Sequence, residues 1–172
     1  MADPFAPNGL DGTGLDTNLD PSLPDPTLQF DCQAVRGRTH VPVTVDVAFA
    51  GNGCEVVVDG PFGVVSGRGP DAFDALVAVR RRLEPEQWLL AVHGSRGDTY
   101  PDETSRRTGG LTVFPLSGIG PEISVGPLHT FGPAPFAALA TVDVQDQAAR
   151  PVLAALPPLP PPEPEPAQVE PS

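Results

Sequence analysis

VPVTVDVAFAGNGCEVVVD, residues 41–59, is the stretch from which the fold is read. Val41, Val43, Val45, Val47 and Phe49 alternate with Pro42, Thr44, Asp46, Ala48 and Ala50, the period of two that gives a strand one apolar and one polar face. Asn52-Gly53 then supplies a dipeptide that tolerates positive φ at both centres of a type I′ turn, and residues 54–59 return in β-formers. A turn there sets Phe49 opposite Val56 and Val47 opposite Val58, so the apolar side chains of both arms share one face of the sheet.

What covers that face is sought downstream. Pro61 interrupts, and residues 62–66 read as a further short strand or the bulged continuation of the second arm. Asp71 caps a helix that Pro85 stops beyond Leu83; Ala72, Leu76, Val79 and Leu83 form its apolar stripe, flanked by Phe73 and Ala75. QWLLAV, residues 87–92, is apolar on both faces and reads as an interior strand. Residues 111–116 form another strand, where Pro115 argues for an edge position or a strand end. Residues 123–125 suggest a short strand. Thr141 caps a last helix through Arg150, with Asp143 in its first turn, and Pro151 ends or kinks it. The expected fold is α+β: a single small domain over residues 28–150, with a mostly antiparallel sheet packed by one main helix.

Both ends are unfit to pack. Residues 1–27 hold five prolines and five acids with no apolar period, and read as a disordered acidic segment. Residues 151–172 hold nine prolines and three glutamates with no base, which suits a Pro/Glu-rich disordered tail of polyproline II character. The 24 prolines far exceed an average share of roughly 5%, and all ten basic residues are Arg, a usage that fits a high-GC bacterial genome. The formal net charge of -12 repels phosphate backbones and argues against general nucleic-acid binding. No basic n-region with an apolar h-region opens the chain and no run approaches a membrane span, so no membrane association is expected and the cytoplasm is the expected compartment. Cys32 and Cys54 make no CxxC pair and read as reduced, partly buried thiols.

Between the two strand patterns lies GSRGDTYPDETSRRTGG, residues 94–110, without one aliphatic side chain. A structureless connection longer than about 12 to 15 residues is uncommon in a compact domain and usually marks a binding loop or disorder. Arg96, Arg106 and Arg107, with His93, Asp98 and Tyr100, are therefore the candidate binding residues: guanidinium groups take phosphate or carboxylate bidentately. The bland alternative is that the three Arg pair with Asp98, Asp102 and Glu103 in a solvated loop, each pair contributing roughly 0–1 kcal/mol. Arg80, Arg81 and Arg82 read as a helix C-terminal cluster favoured by the macrodipole.

The helix PDAFDALVAVRRRLEPE, then WLLAVHGSRGDTYPDETSRRTGG, then ATVDVQDQAARPVL together resemble a group of small uncharacterised proteins from high-GC Gram-positive bacteria. That group shares a helix ending in Arg and LEP, a Trp-led strand, a loop ending near a Gly pair and a terminal TVxxQ helix. The resemblance spans residues 60–156, implies no activity, and departs from the group's pattern between Pro101 and Thr108 and at Pro151.

No catalytic set emerges. His93, Ser95 and Asp98 stand too close in sequence to align as nucleophile, base and orienter, and no GxSxG elbow is present. His40, His93, His129, Cys32 and Cys54 lack metal-ligand spacing, and no glycine-rich run meets a nucleotide-binding pattern, so neither a metal nor a cofactor is expected. Arg96-Gly97-Asp98 recurs by chance too readily to argue from, and PPLPPP in the tail reads as a spacer. The expectation is a small non-enzymatic bacterial binding or accessory domain that meets a protein partner or a small anion through residues 94–110. The alternatives are an enzyme whose site assembles near His93 and Arg96, and an acidic neutralising, immunity-like protein that masks a basic partner.

Overall fold

Four strands run as an antiparallel meander: β1 (Thr27–Arg36), β2 (Thr39–Ala50), β3 (Gly53–Gly60) and β4 (Gly63–Gly69). The computed structural model describes residues 27–118 and 126–156; the two expected disordered ends and the short strand at 123–125 lie outside them, apart from Thr27, which opens β1, and the stretch 151–156. β1 answers to no element expected above, although Leu28, Phe30, Cys32 and Ala34 alternate with Gln29, Asp31 and Gln33.

The hairpin stands two residues from its expected register. Val47 faces Val56, Phe49 faces Cys54 and Ala50 faces Gly53, so the turn centres are Gly51 and Asn52. Gly51 carries φ 57 and Asn52 no positive φ, which matches glycine at the first centre of a type II′ turn. Glycine outcompetes asparagine for the left-handed position because it has no Cβ to clash. A slip of two preserves parity, so every side chain keeps its expected face.

Helix α1 (Ala72–Leu83) covers the apolar face, its N-cap Asp71 accepting a 2.8 Å hydrogen bond from the Asp74 amide. Ala72, Ala75, Leu76, Val79 and Leu83 meet Val43, Val45, Val47, Val56 and Val58 in one core, where each large apolar side chain contributes roughly 1.5–3 kcal/mol. The helix lies directly on β4. A Cβ at Gly67 would come within 2.6 Å of the Ala75 carbonyl oxygen.

A short β5 (Leu89–Leu90) pairs with β1 and completes the order β4-β3-β2-β1-β5. The interior strand expected at 87–92 is thus two paired residues at an edge. Leu90, Ala91 and Val92 are nevertheless buried, because irregular chain seals them: Val92 bridges to Pro133 and the Ala134 amide donates to the Ala91 carbonyl at 3.0 Å. A second sheet follows with order β6-β7-β8, from β6 (Thr99–Tyr100), β7 (Thr112–Pro115) and β8 (Leu128–His129), with α2 (Glu103–Arg107) between β6 and β7. Pro115 ends its strand opposite Thr99, where a missing amide is tolerated.

Helix α3 (Val142–Ala154) runs beyond Arg150 with Pro151 inside it; in this last turn the ring forfeits one amide bond. Thr141 occupies the N-cap position but makes no side-chain capping bond, and the Val142 amide instead donates to Glu84 Oε1 at 2.9 Å. Cys32 and Cys54 are free and buried. Burial pushes the first thiol up to about 12 and the second up to about 11, with Asp31 and Asp71 adding to the respective effects. Among the described residues no helix is long and apolar enough to cross a membrane.

Candidate functional site

Residues 94–110 are a built segment, which corrects the expectation of a structureless loop. A 3₁₀ turn (His93–Ser95), β6 and α2 occupy most of it. The amides of Gly94 and Gly97 donate to the carbonyls of Thr130 and Ala138 at 2.8 and 3.0 Å, and the Ala140 amide returns to Ser95 at 3.0 Å. At the far end Gly110 lies at φ 71 with Asp71 where its Cβ would stand, so the Gly pair lets the chain pass over the start of α1. The order comes from backbone bonds to residues 130–140, which leave no periodic trace in the segment itself.

Arg96 makes a two-pronged contact with Asp98, Nε to Oδ1 at 2.8 Å and Nη2 to Oδ2 at 2.6 Å. The pair holds the Asp98 carboxyl below its ordinary range. Arg107 pairs with Glu103 one helical turn away at 3.2 Å, both well exposed. Arg106 leaves the segment: its Nη1 reaches Asp74 at 2.9 Å and Asp71 at 3.3 Å, and its guanidinium lies 5.4 Å above Tyr100 and 5.5 Å above Phe73. Burial pulls this guanidinium down, and the Asp74 and Asp71 carboxylates more than offset it. Asp102 takes no cation and caps α2 through the Ser105 amide.

Tyr100 packs edge-on against Phe73, and its hydroxyl donates to Asp146 on α3 at 3.3 Å. His93 is half-buried with its pKa lowered, by burial first and then by Arg96 and His129. The Ser95 hydroxyl and His93 Nδ1 are both buried without a hydrogen-bond partner among the described residues, so His93, Ser95 and Asp98 do not assemble as a triad. The six candidate residues are thus distributed: Arg96 and Asp98 form one pair, Arg106 and Tyr100 stack at the start of α1, Arg107 faces solvent, and His93 opens the 3₁₀ turn with its ring against Gly132. Among the described residues no three His, Cys, Asp or Glu side chains gather as a metal-ligand set.

Two features escaped the sequence reading. The first is Arg80, which is 1% exposed. Its Nη1 donates to the Gly94 carbonyl at 3.0 Å and to Gln145 Oε1, and its Nη2 donates to the Ala140 carbonyl at 2.7 Å with Glu84 at 3.5 Å. Gln145 Nε2 completes the cluster with bonds to Gly94 and Thr99 carbonyls at 3.1 and 2.9 Å. Burial pushes the Arg80 guanidinium down to about 10 and raises Glu84, outweighing their mutual attraction in both cases. The pair therefore specifies an arrangement more than it stabilises one. Arg80 shares its azimuth with Phe73, seven residues earlier, on the apolar stripe, and that position was the available signal.

The second is the outer face of the meander. Its rows read across the strands as Gln29, Asp46, Val57, Ser66 and as Asp31, Thr44, Asp59, Val64, with Glu55 beside Arg68. These side chains are exposed or half-exposed, and Val64 is 69% exposed. Asp46 accepts from Gln29 at 2.9 Å and Glu55 pairs with Arg68 at 3.1 Å. The side-chain carboxylates of Asp31 and Asp59 make no hydrogen bond or ion pair among the described residues. Four carboxylates thus share this surface with the Arg68 guanidinium, and Arg82 of α1 reaches only its edge, at the Ser66 carbonyl. No protein-family model and no curated protein matches the chain.

Proposed function

We propose that this protein is a small non-enzymatic bacterial accessory domain, working in the cytoplasm, that binds a basic protein partner on the outer face of β1–β4. The observation that carries the reading is the imbalance of that face: Asp31, Asp46, Glu55 and Asp59 against Arg68, with Asp31 and Asp59 unengaged among the described residues. Carboxylates so arranged steer a cationic surface and fix its register. A small anion at residues 94–110 is the less favoured reading, because Arg96, Arg106 and Arg107 already hold carboxylates and an anion would have to displace them.

The test compares what the full chain captures from its own host with what two variants capture. One variant carries Asp31→Asn, Asp46→Asn and Asp59→Asn; the other carries Arg96→Ala and Arg107→Ala. The reading expects a basic protein that is lost from the first variant, retained by the second, and weakened as salt rises from 50 to about 500 mM, where the screening length shrinks severalfold. The opposite pattern would transfer the function to residues 94–110.

A further inference from the structure

The acidic face does not stop at β1. Asp31, Gln33 and Pro42 also line a groove of about 420 Å³, whose other wall is made by Pro133, Ala134 and Phe136. Phe136 belongs to the turn that follows the strand-like Pro133 bridge, and its ring meets the exposed His40 edge-on at 4.2 Å. Phe136 is 44% exposed. An aromatic ring, two proline rings and a carboxylate therefore stand together on otherwise polar sheet surface.

We propose that this groove binds an extended, proline-rich peptide segment carrying Arg or Lys, its prolines on Phe136, Pro42 and Pro133 and its cation at Asp31. Flat apolar rings are what a polyproline II strand packs on, and such a strand loses little conformational entropy on binding because it is already formed. The charge selects among such strands. Asp31 has no ion pair among the described residues and Asp59 lies in the same row, so an acidic proline-rich segment is disfavoured there. That disfavours the chain's own PPLPPPEPEP, residues 157–166, which carries Glu163 and Glu165 and no base. The inference rests on the sheet-face reading, of which it names one contact.

The test is calorimetric titration of the full chain with three synthetic peptides: RPPLPPR, its counterpart EPPLPPE, and the native PPLPPPEPEP. The expected result is saturable binding of RPPLPPR at least about tenfold tighter than either acidic peptide, a difference of 1.4 kcal/mol. Phe136→Ala and Asp31→Asn each weaken it by about tenfold with the melting temperature unchanged, since both sites are exposed and a few anchors carry most of the energy of such a contact. Asp31→Asn also flattens the salt dependence. Tighter binding of either acidic peptide overturns the proposal, as does RPPLPPR binding that neither variant weakens, or no binding at all. If the peptides fail while host capture still depends on Asp46 and Asp59, the groove proposal falls and the sheet-face reading stands.

Discussion

Inside the core α1 meets the meander through apolar side chains; against residues 93–100 it adds to the Phe73–Tyr100 ring contact a buried guanidinium, that of Arg80, on the Gly94 carbonyl. Val45, Val47, Val56 and Val58 are fully buried against Leu76 and Val79, and such contacts carry no directional demand. Arg80 and Gln145 instead join α1, α3, the 3₁₀ turn and β6 through five side-chain hydrogen bonds. Apolar packing tolerates a shifted register provided that faces are kept. A buried polar cluster tolerates no missing member, because each orphaned group bears its full desolvation penalty.

The largest break expected is at that cluster. Arg80→Ala leaves Gln145 Oε1 and the Ala140 carbonyl without their donor and Glu84 without its cation, and should lower stability by about 3–5 kcal/mol, measured by denaturant unfolding, with the NMR signals of residues 93–100 and 140–145 changed first. A smaller loss with an intact segment would show that apolar contacts hold it. Next is Gly67→Ala, which sets a Cβ against the backbone of α1 and should cost about 1–3 kcal/mol as an overpacked site. If the melting temperature is unchanged, α1 does not sit on β4 as closely as described.

The hairpin distinguishes the two turn readings. Gly51→Val forces a β-branched residue to positive φ and should cost about 1–3 kcal/mol, whereas φ at Gly53 is not positive. There the strain is steric only, a Cβ lying 3.2 Å from the Gly69 carbonyl oxygen. A Gly53→Val loss far above that of Gly51→Val would restore Asn52-Gly53 as the turn. The smallest effect belongs to Arg96→Ala with Arg107→Ala: Arg107 and Glu103 face solvent, and Arg96, itself 19% exposed, pairs with the well-exposed Asp98; thermal unfolding should move by no more than about 1 kcal/mol. A larger loss would place these two among the structural cations, with Arg106.

What was legible follows the same division. The β2 alternation and the apolar stripe of α1 are periodic, so the hairpin faces and the helix bounds are readable without the structure. β1 carries the same period, but Gln29, Asp31 and Gln33 between its apolar residues lower its β-propensity, and pairing with β2 decides it. Residues 94–97 owe their order to carbonyls about 40 residues later in the chain, which no local pattern reports, while residues 102–110 combine the local Asp102 cap with contacts back to Asp71 and Asp74. Arg80 and Glu84 stand at the end of α1 and Gln145 in the first turn of α3, and they meet in one buried cluster that neither helix reports by its own period. The outer acidic face required knowledge of which strands are neighbours: Asp31 and Asp59 are 28 positions apart in sequence and share a row only through Thr44.

The claim that residues 93–110 are structure, clamped by polar groups, is tested most directly by residue-resolved amide hydrogen exchange on the wild type and on Arg80→Lys. The amides of Gly94, Gly97 and Gly110, which donate to Thr130, Ala138 and Ser105, should be protected well above the level of an open loop in the wild type. In the variant, which keeps the charge but loses the planar fork, protection of Gly94 and Gly97 should fall while that of Val45 and Val47 in β2 persists. Unprotected exchange at these three glycines in the wild type, or a loss spread evenly over both regions in the variant, would contradict the account.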